Sequence, residues 1–235
     1  MRLDASRMLR LLGNQAEASW ASFAGSWDDL GKDLYMADGG RYRRRRYAAF
    51  IHADGQLMRQ PHQPHYQSRD HNALNGDVQR WFDPVLPATV EHPATQAIFD
   101  VCLSVISEIS SALLDKPWHI EFHQFRIETT PEGLHRDGVD WVFVMLVCRQ
   151  NVREGITETG TSEGAKLGSF LLQKPGDAVL LDDRRILHGV TEIHAIDPSY
   201  QAYRDVLVVT FVHSRPTFGR LRLKFGFPIA AACSA

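Results

Sequence analysis

Disulfide chemistry has little to work with in this chain. Its three cysteines, Cys102, Cys148 and Cys233, stand far apart in an odd number, with no Cys-x-x-Cys among them. That argues against a disulfide framework or a zinc ribbon and favours a reducing, cytoplasmic setting. Long apolar runs are also missing. No stretch approaches the roughly 18 apolar residues of a membrane-crossing helix, and no basic-then-apolar leader is read at the start, so no membrane partner is expected. Asn-x-Ser/Thr acceptors are absent, and no repeat or low-complexity segment is found. Nor is there an excess of one charge. Twenty-six Lys and Arg against 28 Asp and Glu leave a formal net charge of -2, which gives no reason to expect nucleic acid as a partner.

What is present is ordinary for a globular protein: 235 residues, 44% hydrophobic and 23% charged. A single domain over 1–235 is expected, helical over about 1–115 and β-rich over about 120–228. Apolar residues at helical spacing predict helices over Asp4–Phe23 and Pro93–Leu114, the second opening on a first-turn proline. Short β-rich runs then follow at Ile120–Ile127, Trp141–Arg149, Ser169–Leu172, Ala178–Leu181, Leu187–Ile193, Asp205–His213 and Leu221–Phe227, with turns at Gly176-Asp177 and Asp197-Pro198. Helices first and many short strands after them predict an α+β, mainly β chain. Its core would be a double-stranded β-helix, or jelly roll, flanked by N-terminal helices. Arg41 to Tyr47, with four consecutive arginines, reads either as a solvated, partly ion-paired face or as a strand sending an arginine into a carboxylate-binding cavity.

The chemistry-bearing residues are His135-Arg-Asp137, then His188 between Ile186-Leu187 and Gly189-Val-Thr191, then Arg204 opening Val206-Leu-Val-Val-Thr-Phe211. In an extended segment His135 and Asp137 project to one side, and Gly138 allows an immediate bend. Two histidines and one carboxylate form the ligand set of non-haem Fe(II) oxygenases. An arginine heading so apolar a strand needs an anion. A dicarboxylate cosubstrate would supply one; so would Asp205, Asp182 or Asp183. Thr210 shares the face of Arg204.

The chain resembles the bacterial Fe(II)/2-oxoglutarate dioxygenases that hydroxylate free amino acids, the group containing L-isoleucine 4-hydroxylase. The resemblance runs from about Arg41 to Arg215. It is carried by His123-Gln-Phe-Arg126, Leu134-His-Arg-Asp-Gly-Val-Asp140, Pro175-Gly-Asp177 leading to Leu181-Asp-Asp-Arg-Arg185, His188-Gly-Val-Thr191 and Arg204-Asp-Val-Leu-Val-Val-Thr-Phe211. It implies a jelly-roll core, Fe(II) on His135, Asp137 and His188, 2-oxoglutarate held by Arg204, and O2 as the other cosubstrate. Succinate and CO2 would be the coproducts of hydroxylating a small amino-acid substrate. Many relatives place a serine two residues after that arginine. Val206 stands there in this chain, so a second contact to the far carboxylate must come from elsewhere. Asp137 also separates the chain from halogenases, which leave the carboxylate position free for halide.

For the remaining contacts, Gln124 and Thr210 are candidates on the cosubstrate. Arg126, Tyr66 and Asp140 are candidates on the substrate, although Arg126 could be structural and Asp140 could cap a turn. The His/Pro/Gln-rich loop Pro61–Asn75, with Tyr66, Gln67 and Asn72, reads as a lid or substrate wall. Its His62, His65 and His71 have no carboxylate at a recognised zinc spacing, so no second metal is expected there. Three other readings stay open: an N-acylated or carrier-bound substrate, a metal-holding module without catalysis, and an enzyme acting on nucleic acid through Arg41–Arg46.

Overall fold

The computed structural model describes residues 1–36, 39–69, 76–109, 117–129 and 133–213. In chain order its elements are β1 (Arg2–Leu3), α1 (Ala5–Ala18), α2 (Trp20–Gly25), β2 (Arg43–Ala53), β3 (Gln56–Arg59), β4 (Asp83–Pro84), α3 (Pro87–Val90) and α4 (Pro93–Ile109). Then come β5 (Trp118–Ile127), β6 (Trp141–Gln150), β7 (Val152–Glu154), β8 (Thr157–Gly160), β9 (Lys166–Phe170), β10 (Ala178–Asp182), β11 (Leu187–Val190), β12 (Ile193–Ala195) and β13 (Tyr203–His213). The helix expected over Asp4–Phe23 is interrupted, because Gly13 takes φ 80°, outside helical space, and α2 begins only at Trp20. Pro93 opens α4 as expected, and the His92 Nδ1 accepts the Ala94 amide at 3.1 Å to cap that turn. The strand expected at Leu221–Phe227 lies outside the described residues.

Strands β1-β10-β6-β13-β5-β2-β3 hydrogen-bond in that order to form the large sheet, with β4 also on β2. The smaller layer is β11-β8-β9, with β12-β7 beside it. This is the jelly-roll arrangement, antiparallel except for the β2–β4 contact. The large sheet has two unlike faces, because side chains alternate along each strand. Trp118, Ile120 and Phe122 of β5, with Phe143 and Met145 of β6 and Leu207, Val209 and Phe211 of β13, pack against Met8 and Leu12 of α1 and Ile98, Phe99, Cys102 and Ile106 of α4. Residues of the other parity face into the roll, where Leu146, Leu172 and Val206 form a small apolar cluster. The register sets the levels of that inner face: Arg204 opposite Ile127, Val206 opposite Phe125, Val208 opposite His123 and Thr210 opposite Glu121.

Arg43, Arg45 and Arg46 are buried, so the run of arginines is a strand and not a solvated face. Arg43 and Arg45 share the inward parity, since they pair with Ile127 and Phe125. Arg46 turns the other way, onto the Pro84 carbonyl at 2.9 Å and Asp29 at 3.0 Å.

Candidate metal centre and the chamber beside it

His135 and His188 form an isolated antiparallel bridge, each donating its amide to the other's carbonyl, at 2.9 and 3.0 Å. The approach requires glycine at 189, where a Cβ would stand 2.9 Å from the Gly133 carbonyl carbon. The two imidazole centroids are then 4.7 Å apart. Asp137 completes the group, with Oδ1 3.8 Å from His135 Nε2 and Oδ2 3.4 Å from His188 Nε2. One ligating atom from each of the three lies within 4.8 Å of the others. Two imidazole nitrogens and one carboxylate converging from one side suit a six-coordinate ion with positions left open.

The surroundings hold these atoms in the orientation a metal needs. His135 Nδ1 is bonded to the Gly133 carbonyl at 2.7 Å, and His188 Nδ1 faces Asp183 at 3.6 Å. Both rings therefore turn Nε2 inward. Asp183, just past β10, also accepts the amides of Asp137, Gly138 and Val139 at 3.2, 2.8 and 3.1 Å. The ligand loop is thus clamped on one carboxylate, while Gly138 bends at φ 79°. Burial alone would raise the Asp137 carboxyl. The hydrogen bond and charge of His188, with the charge of His135, hold it well below the usual carboxylate range. Asp183 was missed in this role, since nothing local distinguishes it from Asp182.

Beside the triad lies a buried cluster of charged and polar side chains, called the chamber below. Gln67 Nε2 donates to Asp137 Oδ1 at 3.2 Å, and Arg80 Nη2 donates to Gln67 Oε1 at 2.8 Å. His65, Glu121 and His123 form a second group whose ligating atoms lie within 4.8 Å of one another. The carboxylate that the local spacing around His65 does not offer is therefore supplied by β5. Hydrogen bonding accounts for this second group without an ion. Tyr47 donates to Glu121 Oε1 at 2.9 Å, and His65 Nδ1 lies 3.2 Å from Oε2. Arg45 Nη2 lies 2.7 Å from His123 Nδ1. A guanidinium only donates, so that nitrogen accepts and the ring proton sits on Nε2, facing Glu121 at 3.5 Å. Burial pushes His123 down to about 3, and the ring is neutral. Glu121 would be raised by burial, but the charge of His65 and hydrogen bonds from His119, His123 and His65 hold it well below the usual carboxylate range.

Arg204 is 2% exposed. Its Nε and Nη2 are buried without a hydrogen-bond partner among the described residues. Burial first, then the charge of Arg149, push its guanidinium down to about 10. The acids that could have neutralised it internally are committed elsewhere: Asp205 to Arg126 at 2.8 Å, Asp182 to Arg184 at 3.0 Å, and Asp183 to the ligand loop. A carboxylate from outside the chain fits what remains.

Other expected contacts fall elsewhere. Gln124 and Arg126 lie on the helix-covered face. Gln124 donates to Ser26 Oγ at 2.9 Å, while Arg126 holds Asp205 and Asp28. Their inward neighbours are His123 and Phe125, so the chamber is one residue out of step with the expectation. The same offset recurs in the loop, where Tyr66 bonds Asp77 at 2.9 Å while His65 and Gln67 reach the chamber. Asp140 accepts the His213 amide at 2.7 Å and ties down the end of β13. Thr210 shares the face of Arg204 but stands six residues along, roughly 20 Å in a strand, too far to share a carboxylate. His71 and Asn72 lie outside the described residues. A cue was available: Trp118, Ile120 and Phe122 mark the helix-covered parity, which leaves Glu121 and His123 for the interior.

The 2OG-Fe dioxygenase family model matches residues 24–210. A curated relative, the 3(1)-hydroxy-L-isoleucine 4-dioxygenase of Pantoea ananatis, is 27% identical over 167 residues, 67% of each chain. Among solved structures, a bsmA homologue from Methylobium petroleophilum superposes with a TM-score of 0.82 at 34% identity, covering 91% of this chain and 88% of its own. The protein IDO from Bacillus thuringiensis gives 0.72 at 18% identity, covering 92% and 90%, a likeness of fold.

Proposed function

The chain belongs to the 2OG-Fe dioxygenase family, whose members use Fe(II), 2-oxoglutarate and O2, and from that premise we propose that it hydroxylates the side chain of a free L-α-amino acid. The observation that carries the substrate reading is the charge of the chamber next to Asp137. It holds an ionised acceptor, Glu121, and two buried guanidinium groups, Arg80 and Arg45, the second also 3.8 Å from Asp33. A ligand head group with an ammonium and a carboxylate matches that pair of signs, and the pairing offsets the cost of removing both charges from water. The isoleucine-derived substrate named for the Pantoea relative supports the same class.

In this reading His135, Asp137 and His188 hold the iron, and Arg204 holds the far carboxylate of 2-oxoglutarate. Bound there, the metal would supply the redox chemistry by which 2-oxoglutarate and O2 give succinate, CO2 and a hydroxylated carbon. The chain's own residues do the positioning. Asp183 keeps the ligand loop in one shape, and Gln67 ties Asp137 to Arg80, so metal and head-group sites are mechanically linked. Val206 and Val208 make the inner face apolar between the levels of Arg204 and His123. Glu121 needs no proton transfer to accept an ammonium, since it is ionised at neutral pH.

The test loads the protein with Fe(II) and 2-oxoglutarate without oxygen, admits air, and scores an amino-acid panel for succinate and a mass gain of one oxygen. One or more free amino acids should drive both, and acetylating the α-amino group should abolish them. Turnover confined to N-acylated or carrier-bound substrates would overturn the reading. Glu121→Gln should raise the amino-acid KM by about 10- to 150-fold, the worth of one charged hydrogen bond, while sparing the 2-oxoglutarate KM.

A further inference from the structure

On the inner face, Arg204 has a cationic neighbour. Arg149 of β6 stands directly across from it in the β6–β13 register, beside the irregularity at Asp205/Val206. Arg149 Nη2 is fixed by the Glu154 carbonyl at 2.6 Å and the Val152 carbonyl at 3.4 Å. Its Nη1 is buried with no hydrogen-bond partner among the described residues. Both side chains converge on Gly155, where a Cβ would stand 3.4 Å from Arg149 Nη1 and 3.8 Å from Arg204 Cδ. A Cβ there would also meet Ile193 Cγ2 at 2.7 Å, so glycine is what lets both arginines and Ile193 pack against this backbone, and its φ of 73° suits the residue. Two like charges held together in a low-dielectric interior repel unless an anion joins them. Arg43, at the same level, contributes none of that demand, because it is paired with Asp33 at 2.7 Å.

We propose that Arg149 is a second cosubstrate-binding residue: its Nη1 and the Arg204 guanidinium together clamp the distal carboxylate of 2-oxoglutarate. Arg204 meets that carboxylate from β13, and Arg149 meets it from β6, both beside Gly155. The clamp selects a 2-oxo acid whose far end carries a full negative charge. This rests on the assignment of Arg204 to the cosubstrate, and the experiment separates the two.

Cosubstrate binding is titrated calorimetrically on the Fe(II)-loaded protein without oxygen, with 2-oxoglutarate and with 2-oxopentanoate, which chelates identically but lacks the distal carboxylate. Arg149→Met should weaken 2-oxoglutarate by about 10- to 150-fold, the worth of a charged hydrogen bond, and leave 2-oxopentanoate unchanged. Arg149→Lys should recover part of the loss. Thermal melting gives a second reading. Without cosubstrate Arg149→Met should melt within a few degrees of wild type, since relief of the like-charge repulsion offsets the lost Glu154 and Val152 carbonyl contacts, and added 2-oxoglutarate should protect it less. Equal weakening of both ligands, unchanged 2-oxoglutarate binding, or a cosubstrate-free Arg149→Met that unfolds or melts well below wild type would overturn the proposal and make Arg149 a brace for the Glu154 turn. Arg204→Met run in parallel reports on the premise: if it too leaves 2-oxoglutarate binding intact, the cosubstrate lies elsewhere and the premise fails, not the clamp alone.

Discussion

Arg43 and Arg204 flank the same residue, Ile127, from opposite sides. Both are buried, yet they are treated differently. Arg43 carries its own counterion: Asp33, itself 0% exposed, sits 2.7 Å away. Burial would raise the Asp33 carboxyl, but the charges of Arg43 and Arg45 bring it below its ordinary value. Arg204 has no acid in reach among the described residues and faces another cation. Arg43 is neutralised within the fold, whereas Arg204, proposed above as the cosubstrate's partner, is left for a ligand to neutralise. Asp137 belongs with Arg204, since its neighbours His135 and His188 are gathered around it as metal ligands are.

The comparison can be broken in several places. The largest effect should come from Asp137→Ala, which should abolish succinate formation and stoichiometric iron, read by metal analysis, while the melting temperature moves only a few degrees. Asp33→Ala should do the reverse. Stranding Arg43 should cost about 3–5 kcal/mol, a fall of roughly 6–20 °C in melting temperature, with iron still bound by what remains folded. Arg204→Met should raise the 2-oxoglutarate requirement by about 10- to 150-fold and melt no lower than wild type. A loss of stability as large as that of Asp33→Ala would place Arg204 with the structural charges and end the distinction.

The smallest effect is in pH. The Asp33 carboxyl is lowered in the folded state, so its stabilisation is fully present above the unfolded value of 3.8 and is lost as pH falls through the lower folded value. Each unit of that shift is worth about 1.4 kcal/mol. The stability gap between wild type and Asp33→Asn should therefore be flat from neutrality to about pH 5 and shrink below pH 4. A gap that widened in acid would contradict the pairing.

Strands Trp141–Arg149, Ala178–Leu181 and Asp205–His213 were legible in the sequence to within a residue or two, because each is an apolar run buried by the large sheet. Val152–Glu154 and Thr157–Gly160 were not, being short and polar, with little periodicity to read. The single run expected at Leu187–Ile193 is split between β11 and β12, which belong to different sheets. His135, Asp137 and His188 could be named because their residue types and strand settings are local properties. Glu121, Gln67 and Arg80 could not, because each becomes part of the chamber through a partner that is distant in the chain.

Composition and local pattern by themselves determined that this chain forms short antiparallel strands preceded by helices, that two histidines and an aspartate can meet at one metal, and that Arg204 would be buried in need of an anion. The tertiary structure decided parity. A strand offers two faces, and which one looks into the roll depends on where the helices land. Here α1 and α4 cover Trp118, Ile120 and Phe122, turning Glu121 and His123 inward and committing Gln124 and Arg126 to the outer side. The same long-range placement supplied a counterion to Arg43 and set Arg149 beside Arg204. Charge pairing is settled by distances of a few ångströms between residues far apart in sequence, and no local pattern encodes those.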